Sequence, residues 1–220
     1  METKSTPRTD RAHAEESDSR AVVRNVTAGV LGAALWVSFT TIHVLTFIQT
    51  GRVVGIGLAA TELLTAALFV VRRTPMATST RPSDWAVALV GSFGSLLARP
   101  GGEHSAASDA VGLALQAVGV VVVALVLLAM GRSFGVVAAN RGIVTSGPYR
   151  VVRHPLYAAY LIEQSGYLLQ SFRLWNIALF LVVWACQIAR IRAEERVLDG
   201  DPTYRVFRDS TRARLVPGLW

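Results

Sequence analysis

Residues 146–160, SGPYRVVRHPLYAAY, place Arg150, Arg153, His154 and three tyrosines between two long apolar runs. Each residue type there has a definite capacity. Gly147 and Pro148 permit a tight turn, and Pro155 suits the first turn of a helix, where no backbone N–H is needed. His154 is therefore expected at a helix N-terminus, beside that helix's free N–H groups. A helix N-terminus flanked by arginine and histidine favours an anionic group. The ring faces of Tyr149, Tyr157 and Tyr160 attract a cation. A ligand carrying both charges would suit such a place. A plainer reading of the same residues has Arg150 and Arg153 on lipid phosphate and the tyrosines in an interfacial belt.

A second polar strip ends the chain: residues 189–220, ARIRAEERVLDGDPTYRVFRDSTRARLVPGLW. Glu194 and Glu195 point about 100° apart around a helix. Arg190 stands four residues before Glu194, so a helix-surface salt bridge accounts for that carboxylate. Glu195 has Ile191 at the corresponding place and is the freer of the two to bind something else. Carboxylates suit vicinal hydroxyls or an ammonium group, such as a ribose or an amino-acid moiety presents.

The elements that must position these strips are membrane helices. The chain of 220 residues is 52% hydrophobic and only 17% charged, too little polar surface for a soluble domain. Runs long enough to approach a bilayer crossing occur at residues 26–49, 53–71, 85–97, 107–130, 155–172 and 174–188, the third and fifth being the weakest. If all six cross and the N-terminus is cytoplasmic, nineteen Lys and Arg residues fall on the cytoplasmic side. Arg52, Arg99 and Arg173 alone fall opposite. That bias follows the positive-inside rule, and removing any one crossing would invert every later loop and spoil it. The expected fold is all-α, a six-span bundle with both termini cytoplasmic, and both polar strips on the same face.

Residues 1–24 are polar, lack the apolar core of a secretory signal, and read as a disordered cytoplasmic tail. Residues 25–130 are expected to hold four scaffold helices and an acceptor channel, and residues 131–220 the cofactor-binding loop, two further helices and a cytoplasmic tail. The net charge of +7 comes from arginines flanking apolar runs, not from a basic patch, which points to lipid headgroups and not to nucleic acid. Cys186 is the single cysteine and lies inside an apolar run, so no internal disulfide is possible. No cysteine spacing of the zinc type occurs, and no metal is expected. Ionisable groups at bilayer depth are costly and usually functional. His43, Glu62, Glu163 and Gln164 are such groups, able to line an acceptor pocket or to satisfy one another.

The combination VTSGPYRVVRHPLY, then EERVL, a tyrosine and RLVPGLW, resembles the isoprenylcysteine carboxyl methyltransferase and phospholipid methyltransferase superfamily of integral membrane enzymes. It covers residues 131–220, beginning with GRSF at 131–134. The resemblance implies an S-adenosylmethionine-dependent methyltransferase with its cofactor at the cytoplasmic membrane face. By matched position, Gly147, Tyr149, His154, Pro155 and Tyr157 belong to the cofactor loop and helix start. Glu194 and Glu195 match the paired glutamates that help hold the cofactor, and Tyr204 and Arg214 the tail that closes over it. Arg153 is the arginine of the R-H-P element. Ala159 stands where glycine is common, and Phe207 where the tail often has a second tyrosine. Arg153, His154 and Glu163 are the candidate catalytic residues, the last two as bases should the acceptor be an amine or phenol. A carboxylate acceptor needs no base.

The acceptor is expected to be lipidic or small and hydrophobic, an isoprenylcysteine-type carboxylate first and a phospholipid amine second. Membrane sterol reductases share an R-H-P-x-Y-like element but bind NADPH. A non-catalytic membrane module is the remaining alternative.

Overall fold

The computed structural model describes residues 8–51, 54–103 and 105–218. The first helix, α1, spans Arg8–Thr50. It begins inside the stretch expected as a disordered tail, so the backbone there is helical from Arg8 onward. That stretch is rich in Ala, Arg and Glu, good helix formers. Next come α2 (Val54–Val71), α3 (Pro82–Phe93), α4 (Ala106–Met130), α5 (Pro155–Gln170), α6 (Leu174–Leu198) and α7 (Pro202–Ser210). Two short strands, β1 (Ala77–Thr78) and β2 (Ala139–Asn140), pair antiparallel, with Ala77 opposite Asn140 and Thr78 opposite Ala139. The protein is mostly helical, and the expected helical class holds.

Among the described residues, three helical stretches are long and apolar enough to cross a membrane: Asn25–Gln49, Ala106–Ser133 and Leu174–Leu198. The other three expected crossings are shorter, with α2 at 18 residues, α3 at 12 and α5 at 16. Together α3 and the 3-10 turn Gly94–Leu97 rise about 26 Å, against a hydrocarbon core of about 30 Å. Large apolar side chains nevertheless point outward along the helices: Leu31, Ile42 and Ile48 on α1, Val121 and Leu128 on α4, Leu181 and Val182 on α6. A continuous exposed apolar surface of this kind has a lipid as its natural solvent.

Contacts between helix ends show that α2 to α6 alternate in direction. At one end, Arg73 N donates to Arg132 O at 2.8 Å, Arg196 pairs with Asp84 at 2.8 Å, and β1 meets β2. At the other, Arg173 Nε donates to Gly101 O, Trp175 Nε1 to Leu97 O, and the Arg99 guanidinium lies over the Trp175 ring. Arg99 and Arg173, assigned by charge to the arginine-poor side, thus share one end of the bundle. Arg72, Arg132, Arg141 and Arg153 share the opposite end.

The core lies between α2, α4 and α5, where Leu68, Phe69, Val123, Leu127, Phe134 and Ala159 pack together. Helices α4 and α5 approach closely because both carry glycine at the crossing. A Cβ on Gly112 would lie 2.6 Å from Gly166 O, and one on Gly119 would meet the Glu163 backbone at 2.9 Å. Ala159 is completely buried in this core, which accommodates its methyl group.

Candidate active site

The polar loop is built from α4 onward. Gly131, with φ +48°, ends the helix, and β2 pins the following segment to β1. Gly147 takes φ +60°, a left-handed conformation that favours glycine, and opens the 3-10 turn Gly147–Arg150. His154 then forms the N-cap of α5 with Pro155 at its first position, as expected. Arg150 is exposed while Arg153 is buried, so the two arginines face different surroundings.

The tail returns to the loop. Arg153 N donates to Ala213 O and His154 N to Arg214 O, both at 2.9 Å. Helix α7 is held by Asp201, which caps it through Thr203 N and accepts from Asn140 Nδ2 at 2.9 Å. Loop and tail, far apart in the chain, are thereby stitched by main-chain hydrogen bonds.

Glu195 is the electrostatic centre of that junction. Arg153 approaches it through Nε at 3.1 Å and Nη2 at 3.0 Å, and Arg214 through Nε at 3.0 Å and Nη2 at 2.8 Å. His154 Nε2 lies 3.3 Å from the same carboxylate. Arg153 Nη1 also donates to Thr211 O and Arg212 O. Glu195 is thus enclosed by three cationic groups. This reverses the expectation that Glu195 is the freer carboxylate: the spacing along α6 is as read, but its partners come from the loop and the tail. Arg214 is held firmly charged by its hydrogen bond to Glu195.

Glu194 instead faces a cavity. Tyr157 donates its hydroxyl to Glu194 Oε1, and His154 Nδ1 lies 3.6 Å from Oε2. The Arg190 side chain, expected to pair with Glu194, donates to Gln187 Oε1 and Val136 O and stacks over the Tyr157 ring. Burial disfavours a charged His154, but the hydrogen bonds and charges of Glu194 and Glu195 outweigh it and raise its pKa above 6.5.

The cavity has a volume of ≈ 110 Å³. Tyr149, Arg153, His154, Tyr157, Glu194 and Tyr204 line it, joined by Arg141, Arg190 and Phe207. Gly147 and Pro155 frame the loop without facing the cavity, and Glu195 and Arg214 stand behind it. Burial pushes the Tyr149 phenol upward, so it stays neutral. The Tyr204 hydroxyl is buried beside the Glu195 carboxylate. Phe207 packs edge-on against Tyr204. A second, larger cavity of ≈ 250 Å³ lies within the bundle, lined by Trp36, Phe39, His43, Glu62, Glu163 and Tyr167 among others. His43 Nδ1 is 2.9 Å from Glu62 Oε2. The cavities share Gly135, Leu156 and Arg190, so they meet at one wall. Glu163 thus belongs to the inner cavity, away from Arg153 and His154.

The matched span of known families runs from α4 to the end of α6: residues 108–200 fit the phospholipid methyltransferase model. Those residues, fewer than half of the chain, are similar to that family. The match includes the loop, His154, Glu163 and both glutamates, and it lies within the superfamily that the motifs resemble. No curated protein matches the chain. The family is one of membrane methyltransferases, in agreement with the apolar helices. His43 and Glu62 of the inner cavity, and Tyr204 and Arg214 of the tail, lie outside the matched residues. Among the described residues no cluster of His, Cys, Asp and Glu could hold a metal ion.

Arg141 and Arg190 line the cavity without a sequence signal to mark them. Arg190 had been given a helix-surface partner. Arg141 follows a strand of two residues, too short to leave a periodicity that would aim its side chain.

Proposed function

We propose that this protein is an S-adenosylmethionine-dependent methyltransferase. The outer cavity holds the nucleotide at the cytoplasmic membrane face, and the acceptor enters the inner cavity from the bilayer. All six helices α1 to α6 cross or enter the membrane, with both termini cytoplasmic. One observation carries this reading: a polar cavity at the arginine-rich end of the bundle meets a larger, mostly apolar-walled cavity at a shared wall.

The residues present suit the cofactor. Glu194 can receive an ammonium or ribose hydroxyls, Tyr204 adds a further phenol to the lining, and the tyrosine faces suit a sulfonium. When bound, S-adenosylmethionine supplies an electrophilic methyl group. Gly147, Tyr149 and Tyr157 shape the loop around it. Arg153, His154, Glu195 and Arg214 act by fixing loop to tail, which holds Glu194 and Tyr157 in place. Alignment of donor and acceptor supplies most of the rate in such a displacement.

The inner cavity bears two carboxylates, Glu62 and Glu163, and His43. An amine acceptor is attracted to such a lining, whereas an anionic acceptor is repelled. An amine arrives largely as ammonium and must lose a proton before it can attack. Glu163 takes that proton, with the His43–Glu62 pair beside it. A phospholipid-type amine is therefore favoured over the isoprenylcysteine-type carboxylate. The carboxylate acceptor retains one supporting feature, Arg190 at the shared wall.

Methyl-label transfer in native membrane extract, with the product identified by mass, tests the reading. A labelled amine lipid supports it, and a labelled carboxyl ester replaces the acceptor. Stabilisation of the purified protein by NADPH but not by S-adenosylhomocysteine would overturn it in favour of a reductase.

A further inference from the structure

Arg141 sits directly after β2 with its backbone fixed on both sides. Ser133 Oγ donates to Arg141 O at 3.2 Å, Gly142 N donates to Asn140 Oδ1 at 2.9 Å, and Asn140 is itself tied to Asp201. Its side chain lies across Gly135, where a Cβ would overlap the guanidinium, so the absence of a side chain there makes room for it. Arg141 is only 8% exposed and lines the outer cavity. Its Nε is buried without a hydrogen-bond partner, and no ion pair reaches its guanidinium among the described residues.

That state is costly. A buried charge with an unsatisfied donor and no ion pair is strongly disfavoured, and guanidinium cannot escape by losing its proton near neutral pH. Burial, together with the nearby Arg72 charge, lowers the Arg141 pKa to about 10, still well above neutral. Arg72 cannot neutralise it, and its own Nε is likewise buried and unpartnered. Glu194 lines the same cavity but is engaged by Tyr157. Arg190 also lines the cavity, but its guanidinium donates to Gln187 Oε1 and Val136 O. Arg141, with no such acceptor, stands with the Glu194 carboxylate in one cavity, and the two complement a zwitterion.

We infer that Arg141 binds the carboxylate of the cofactor's amino-acid end. The inference rests on the nucleotide reading of the outer cavity. The competing source of an oxyanion is a lipid phosphate at the bundle end. Arg141 does not line the inner cavity where the acceptor is placed, which favours the cofactor.

The test compares two thioether nucleosides by titration calorimetry on the full chain in nanodiscs. S-adenosylhomocysteine carries the amino-acid end, and 5′-methylthioadenosine lacks it. Arg141→Gln should weaken S-adenosylhomocysteine at least tenfold, about 1.4 kcal/mol, and leave 5′-methylthioadenosine within a factor of two. Arg141→Lys, which retains the charge, should fall between and supplies the same ratio should the glutamine variant fold poorly. Equal weakening of both ligands, or none of either, overturns the inference. So does an unchanged nucleoside ratio with loss of binding to vesicles containing anionic phospholipid, which would give Arg141 to lipid phosphate. Failure of the unsubstituted protein to bind either nucleoside sinks the nucleotide reading itself, a different result.

Discussion

Substituting each of the paired glutamates by glutamine should produce two different defects. Glu195 is 8% exposed, and its three partners are Arg153, His154 and Arg214, whose side chains are 6%, 5% and 34% exposed. In Glu195→Gln the Arg153 guanidinium stays buried opposite a neutral amide. Breaking a buried ion pair by removing one partner costs about 3–5 kcal/mol. His154 can shed its proton, and the partly exposed Arg214 regains water, so the lower end applies: about 3 kcal/mol. In Glu194→Gln that junction survives, and the amide oxygen still accepts from Tyr157; exchanging a charge-assisted bond for a neutral one costs about 1 kcal/mol. Cofactor affinity, however, should fall about tenfold, or 1.4 kcal/mol. Denaturant unfolding in micelles measures the first quantity, and titration with S-adenosylhomocysteine the second. Glu195→Gln with unchanged stability and the larger loss of cofactor would refute the division of labour between the two carboxylates.

Three further outcomes are expected. His154 has a folded pKa above its unfolded value, so its contribution to stability is complete below about pH 6.5 and is lost as pH rises through the folded pKa. Melting curves from pH 6 upward should therefore decline less in His154→Gln than in the unsubstituted protein, and parallel declines would count against the cluster. Glu163→Gln should lower kcat toward an amine acceptor roughly a hundredfold or more while leaving S-adenosylhomocysteine affinity unchanged; loss of both together would place Glu163 elsewhere. Gly166→Ala sets a Cβ 2.5 Å from Gly112 O, which should cost about 1–3 kcal/mol in unfolding experiments. Gly200→Ala, with only Val197 O at 3.7 Å, should be close to neutral, and equal effects would argue against a close α4–α5 crossing.

Features set by local chemistry were legible in the sequence. Pro155 dictated where α5 begins, and long apolar runs marked α4 and α6. The arginine distribution anticipated which helix ends lie together, because membrane topology couples charge to side. The expected approach of the loop to the tail is realised in the hydrogen bonds from Arg153 and His154 to Ala213 and Arg214. What was not legible depends on contacts between distant residues. Helical spacing put Ile191 at i−4 and Arg192 at i−3 of Glu195, yet Arg153 and Arg214 enclose it from 42 and 19 residues away. The same limit hid the meeting of His43 with Glu62 across two helices, which apolar periodicity cannot register. Strands of two residues carry no alternation, so the β1–β2 clasp and the aim of Arg141 had no signal.

Binding of S-adenosylhomocysteine to the purified, unsubstituted protein bears most directly on the claim that loop and tail together form a nucleotide cradle. Saturable binding with a stoichiometry near one per chain, weakened by Glu194→Gln and not competed by NADPH, is the predicted result. No saturable binding at millimolar ligand, by a protein shown to be folded, would contradict it.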